Sequence, residues 1–236
     1  MTLLSGLLFF YIPVLVLLIV ISVLFYYLWF LRNPNIKVVH DDLIISPANG
    51  KISAIIRFGA DDKNNEQDNK HNKHTKDIIN INKGRFGRIL ALTRDVASSG
   101  YIICIAMNLL NVHYQRSPVS GAVKNIKYTK GKFRNIFKDI KGLRFIDNER
   151  NEVLIRSTPL YGEKKVKFNV KVIQIAGLFA KRIKCFVKPG QAVEKGQLLG
   201  LIRRGSMVVL IVPDNVKPVV KNGQKVKLGA NICSII

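Results

Sequence analysis

A few side chains in this sequence are of types that nucleophilic or acid–base chemistry needs, and they lie far apart along the chain. Ser206 follows Arg203-Arg204-Gly205. A serine hydroxyl is a poor nucleophile until a base takes its proton and donors stabilise the oxyanion it creates. The preceding Gly205 permits a sharp turn that strains the Gly205-Ser206 peptide. His113 carries an imidazole, which changes protonation near neutral pH as proton delivery requires. Read without its neighbours, it is better taken as a buried ring bonded to backbone. Arg116 offers a planar fork suited to a phosphate or carboxylate, against the plainer reading of a surface contact. His71 and His74 have no third fixed ligand beside them, so no metal site is expected. Cys104, Cys185 and Cys233 are widely spaced and odd in number, with neither a disulfide framework nor a CxxC pair, which suits a reducing compartment.

Strands must position these groups. Leu43 to Ile56 holds two short apolar runs broken by Pro47 and Asn49-Gly50, which predicts strand, turn and strand. Tyr101 to Val112 is apolar and rich in Ile, a buried strand leading to His113. Val119 to Tyr128 and Val166 to Gly177 alternate, and short strands follow at 184–187, 198–202, 207–212 and 216–220. Pro189-Gly190, Lys195-Gly196, Pro213-Asp214-Asn215 and Asn222-Gly223 separate them as turns. Many short strands with few helical stretches predict a β-rich domain, all-β or α+β. Segments 187–200 and 220–232 share a Gly-Gln turn followed by a hydrophobe and a second glycine, a pattern that resembles the hairpins of lipoyl- and biotinyl-type sandwiched barrels. The stretch 59–82 is too polar to pack and is expected as a disordered insertion.

Charge and hydropathy divide the chain sharply. Lys and Arg number 38 against 15 Asp and Glu, a formal charge of +23, which calls for an acidic partner. Residues 1–31 contain no Lys, Arg, His, Asp or Glu. Leu3 to Leu31 is apolar except for Ser5 and Ser22 and would make a helix of about 43 Å, enough to cross a hydrocarbon core of about 30 Å with tilt or a bend at Pro13. Tyr26, Tyr27 and Trp29 gather at its end, where amphipathic rings favour headgroups. The run lacks the basic start and small-residue cleavage site of a signal peptide, so an uncleaved anchor over 1–33 is expected, with a re-entrant hairpin at Pro13 as the other geometry. Arg32, Lys37 and the basic remainder place domain 34–236 on the cytoplasmic face of the cell membrane. No nucleic-acid-binding motif is present, so an anionic membrane surface is the expected partner.

Four blocks then act together: Ser46-Pro47-Ala48-Asn49-Gly50, Asn111-Val112-His113-Tyr114-Gln115-Arg116-Ser117-Pro118, Asn148-Glu149-Arg150-Asn151, and Arg203-Arg204-Gly205-Ser206. In order and spacing they resemble the phosphatidylserine decarboxylase proenzymes, especially the short form of bacteria and archaea. Tyr128-Thr129-Lys130-Gly131, Gln174-Ile175-Ala176-Gly177 and Phe30-Leu31-Arg32-Asn33-Pro34 extend the match. The resemblance implies that Ser206 attacks the Gly205 carbonyl, that the chain divides into 1–205 and 206–236, and that residue 206 becomes a covalent pyruvoyl group. That group would form a Schiff base with the amine of a serine phospholipid and accept the electron pair left by carbon dioxide. His113 is implied as the acid/base and Arg116 as a processing or substrate contact. The two chains would stay together as a heterodimer, with higher homo-oligomers left open, and with no nucleic acid or metal. Diacyl phosphatidylserine and an archaeal ether lipid share the headgroup, so both stay open as substrates.

One residue departs from the pattern. The family has Asp where this chain has Asn49, and an amide can orient a neighbour but cannot ionise. The second reading is therefore a processing-deficient, non-enzymatic, membrane-bound homologue. A lipoyl or biotinyl carrier would need an exposed acceptor lysine at a hairpin tip, where this chain has Arg203-Arg204-Gly205-Ser206.

Overall fold

A computed structural model describes residues 2–36, 38, 43–59, 87–136, 138–161, 164–178, 182–203 and 206–236. The expected insertion, apart from Gly59, lies outside the described residues, with His71 and His74; so do Arg204 and Gly205. Helix α1, Thr2–Leu24, runs unbroken through Pro13 and passes into a π-helical turn, Phe25–Phe30. It is one continuous rod and not a hairpin. From Phe10 to Trp29 its apolar side chains almost all face outward, uncovered by protein, and the stretch is long and apolar enough to cross a membrane. Among the described residues of the domain, Leu109 reaches this face near its carboxyl end. A proline inside such a helix is tolerated where the surroundings make good its missing hydrogen bond.

The remainder is rich in strands, as the alternation predicts. In chain order they are β1 Leu43–Ile45, β2 Gly50–Phe58, β3 Gly100–Met107, β4 Tyr114–Arg116, β5 Gly121–Thr129 and β6 Arg150–Ser157. Then come β7 Leu160–Tyr161, β8 Lys164–Lys165, β9 Phe168–Ala176, β10 Arg182–Cys185 and β11 Ala192–Val193. Last are β12 Leu198–Arg203, β13 Ser206–Pro213, β14 Val216–Pro218, β15 Lys225–Val226 and β16 Asn231–Ile235. An eight-stranded antiparallel sheet has the order β11-β5-β6-β9-β13-β3-β2-β15. Two three-stranded sheets, β1-β16-β14 and β10-β12-β4, accompany it.

β13 lies at the middle of the large sheet and is buried along its whole length. That is why Met207 to Val212 reads as a continuous apolar run: both faces of a central strand are covered. Val208, Leu210 and Val212 face one core with Ile103, Ile105 and Val172, roofed by residues of the small sheets such as Leu199, Ile202, Ile232 and Ile235. Met207, Val209 and Ile211 face the other, closed by Ile89 and Leu92 of the short helix 87–93 and by Leu143 and Phe145. On that second face a buried charge group pins the helix. Lys171 of β9 pairs with Glu152 and Asp95 and donates to the Leu92 carbonyl at 2.7 Å.

The repeated Gly-Gln turns are a structural unit. Gly190, Gly196 and Gly223 have φ near +84°, +84° and +86°, a region closed to most side chains. In each turn the glutamine that follows accepts a hydrogen bond from a backbone N–H three residues back: Lys188, Glu194 and Lys221, at 2.9–3.1 Å. The sequence similarity between 187–200 and 220–232 is thus one turn chemistry used again.

Candidate active site

Alternation along β13 puts Ser206 on the same face as Val208 and Leu210, at the strand's first position. Opposite it lie Met107 on β3 and Ala176 on β9. At this end the apolar face turns polar. Gln174 of β9 pairs with Val208, and Asn151 of β6 pairs with Gln174. Asn151 Nδ2 donates to Gln174 Oε1 at 2.9 Å, Gln174 Nε2 to Gln115 Oε1 at 2.7 Å, and Gln115 Nε2 to the His113 carbonyl at 2.6 Å. All four residues are buried, as is Ser206. The Ser206 hydroxyl donates to Met107 Sδ at 3.5 Å, and Gln115 Nε2 lies 4.0 Å from the same sulfur. Ser206 and His113 are therefore brought to one buried end of the sheet, with Met107 and Gln115 between them and no hydrogen bond joining them directly among the described residues.

His113 follows β3 and a turn, and immediately precedes β4. Its Nδ1 is 2.8 Å from the Asn111 carbonyl. A carbonyl only accepts, so Nδ1 carries the proton and Nε2 presents a lone pair. Nε2 is buried without a partner among the described residues. Phe30, at the end of the π-helical turn that follows α1, lies against the ring with centroids 4.0 Å apart, and Tyr26 stacks on Phe30. Burial lowers the imidazole pKa from 6.5 to about 4, the Asn111 bond working against the shift and the Arg32 charge adding to it. His113 is thus neutral at pH 7. Sequence alone suggests a ring poised near neutrality; burial, with Phe30 packed against the ring, favours its base form.

Asn49 and Arg116 stand beside this centre. Asn111 Nδ2 donates to Asn49 Oδ1 at 3.0 Å, so Asn49 reaches His113 through one intervening residue. Arg116 is committed to its own chain: Nη1 donates to the Gly196 carbonyl at 2.9 Å, and Nη2 to Asn33 Oδ1 and the Pro34 carbonyl at 2.7 and 3.0 Å. It clamps the segment following the amino-terminal helix onto the domain. Asn148 donates to the Ala176 carbonyl at 2.8 Å, which places the Asn148–Asn151 block beside the residue opposite Ser206. Gly205 lies outside the described residues, so the site's geometry is defined from its Ser206 side.

Comparison with known proteins identifies a family for the chain. The family model described as phosphatidylserine decarboxylase matches residues 24–234. The chain belongs to that family. A relative from Methanocaldococcus jannaschii, provisionally named an archaetidylserine decarboxylase proenzyme, is 30% identical over 92% of both chains. A phosphatidylserine decarboxylase proenzyme from Syntrophus aciditrophicus is 32% identical over 85% of this chain and 75% of its own. One from Solidesulfovibrio magneticus is 37% identical over 131 residues, little more than half of either chain at 56%.

Within this member of the family the buried carboxamides Gln115, Gln174 and Asn151, together with Met107, are the candidate site residues that sequence reasoning missed. The available signal was polar side chains in strands that otherwise alternate cleanly: Gln174 falls on the inward parity of β9, between Val172 and Ala176. Gly200 leaves the room for it, since a Cβ there would lie 2.5 Å from Gln174 Nε2. Gln174→Leu leaves Gln115 Oε1 without its donor and Asn151 Nδ2 without its acceptor. A loss of about 2–4 kcal/mol is expected, because a buried unpaired group costs about 1–3 kcal/mol. Denaturant unfolding in detergent micelles measures it, and a change within error of zero contradicts the assignment.

Proposed function

We propose that the chain is a membrane-anchored, pyruvoyl-dependent decarboxylase of a serine phospholipid, matured by its own cleavage between Gly205 and Ser206. The observation that carries this reading is the buried Ser206 heading the central strand at the one polar end of an apolar face, with His113 at the same end. In maturation the Ser206 Oγ attacks the Gly205 carbonyl and the peptide becomes an ester. Loss of the Ser206 Cα proton then expels the Gly205 carboxylate, leaving dehydroalanine. This enamine shifts a proton to its methylene carbon to become the imine, and addition of water to the imine releases ammonia and leaves the pyruvoyl group on chain 206–236.

The surroundings of Ser206 fit that group. It contains one non-hydrogen atom fewer than the serine it replaces, so it occupies space the fold already provides. The hydroxyl that disappears is held by a thioether, a weak acceptor, so little polar bonding is lost. Once formed, the group supplies the electron sink for a carboxylate leaving the substrate. The protein's own part is binding, orientation and proton handling. His113 Nε2, neutral and unpartnered, takes up and returns the proton that replaces the lost carboxyl. Binding of an anionic substrate raises the His113 pKa towards the working range. Phe30 and the helix hold the site at the bilayer, where substrate is concentrated, so that a search becomes local positioning. The basic domain faces anionic headgroups on the cytoplasmic side.

Asn49 has a definite cost here. A carboxylate at 49 would accept from Asn111 Nδ2 as the amide does, and its charge would favour the imidazolium. Asn49→Asp is therefore expected to raise the His113 pKa above about 4 and move the acid limb of the pH–rate profile to higher pH. An unmoved limb contradicts the link through Asn111. Neither the fold nor the relatives, which are named proenzymes, support the processing-deficient reading. The direct test is conversion of phosphatidylserine and of its archaeal ether counterpart in vesicles carrying the purified protein. Appearance of the ethanolamine lipid from either supports the reading. Fully cleaved protein that converts neither overturns it.

A further inference from the structure

The turn that follows β3 carries Leu109 and Leu110 with 54% and 58% of their surfaces exposed. Exposed leucines are ordinary one at a time. These two are distinguished by what lies next to them. Leu109 helps to line an apolar groove of about 760 Å³, otherwise formed by the anchor itself, including Leu18, Val23, Tyr27 and Phe30. From Leu18 to Phe30 the groove follows about 18 Å of helix, at roughly 1.5 Å per residue. Arg32 fastens the turn to the helix end. It donates to the Leu110 carbonyl at 2.6 Å and to the Trp29 carbonyl at 2.8 Å, with its guanidinium 4.5 Å above the Trp29 ring. The leucines therefore lie beside Tyr26, Tyr27 and Trp29, the rings that mark the headgroup layer.

We infer that Leu109 and Leu110 form a second membrane-inserted element, dipping into the acyl region of the leaflet that holds the end of α1. The occupant of this surface is the bilayer, because the patch continues the helix's own lipid-facing side across the groove. The insertion sets the depth of the active site. Asn111, the next residue, holds His113 Nδ1, so the inserted turn and the imidazole are a single rigid unit just below the headgroups. Exposure alone does not make such an element. Leu90 is 53% exposed but lies on helix 87–93 at the other end of the large sheet. There Leu92 is tied to Lys171, whose partner Ile211 pairs with Ile102 near the start of β3.

The inference rests on the reading of α1 as a membrane span, and the test separates the two. The chain has a single tryptophan, Trp29. The wild type, Trp29→Phe/Leu110→Trp and Trp29→Phe/Leu90→Trp are reconstituted into phosphatidylcholine vesicles with and without lipids brominated along the acyl chains. Trp29→Phe/Leu109→Trp supplies a second probe of the turn should the Leu110 variant fail to fold by circular dichroism. The wild type and the turn probes are expected to lose most of their emission to the brominated lipid. The turn probes should also emit further to the blue than the Leu90 probe, which stays unquenched. Turn probes that match the Leu90 probe while Trp29 is quenched overturn the inference and leave the anchor standing. An unquenched Trp29 overturns both.

Discussion

Ser206→Ala is expected to leave the chain whole at 26.6 kDa and without decarboxylase activity, although folded and membrane-bound. The side chain lost is small, and its hydrogen bond is to the thioether of Met107, so stability should change by no more than about 1 kcal/mol. The loss of function has no such bound. Without Oγ there is no nucleophile for the Gly205 carbonyl, no ester to eliminate and no pyruvoyl group to withdraw electrons. Electrophoresis of wild type and variant expressed side by side checks the first part, and lipid conversion the second. A variant that still divides at 205–206 would remove Ser206 from the chemistry altogether.

His113→Gln separates proton handling from maturation. The amide can keep a contact to Asn111 but cannot exchange a proton in the working pH range, and general acid–base catalysis contributes about 10²–10⁴-fold. Decarboxylation per cleaved molecule is expected to fall by about that factor, so turnover must be normalised to the amount of small chain present. The same substitution alters acid stability, with a definite sign. Folding holds the His113 pKa at about 4 against 6.5, so the unfolded chain binds more protons between those values. Stability is full above about pH 6.5 and is lost as pH falls towards 4, by on the order of 3 kcal/mol from this one group. His113→Gln should flatten that part of the profile. Equal turnover per cleaved molecule, or an unchanged acid profile, contradicts the role given to the ring.

Much of the framework was legible because it depends on local pattern. The uninterrupted apolar stretch of β13 and the alternation of β9 mark the centre of the sheet, and the Gly-Gln turns repeat in sequence as they repeat in space. Tyr101 to Val112 was legible only in part. The strand stops at Met107, and the last five residues form the turn that carries Leu109 and Leu110. Non-local features stayed hidden. Gln115, Gln174 and Asn151 meet only because three strands distant in sequence come together at one end of the sheet. The burial that keeps His113 neutral includes the ring of Phe30, over eighty residues earlier, and the Arg116 fork closes on Asn33 and Pro34. Each sequence block supplies its residue types faithfully. The contacts that tune those residues are made across strands and, for His113 and Arg116, by residues 30–34 at the end of the amino-terminal helix.

Conversion of residue 206 to a carbonyl by self-cleavage is read from the intact mass of the small chain of purified wild-type protein. The expected result is a 206–236 fragment lighter by one ammonia than the peptide beginning with serine, and blocked to amino-terminal sequencing. A fragment with an unmodified serine terminus, or protein that stays whole after prolonged incubation in lipid, contradicts it.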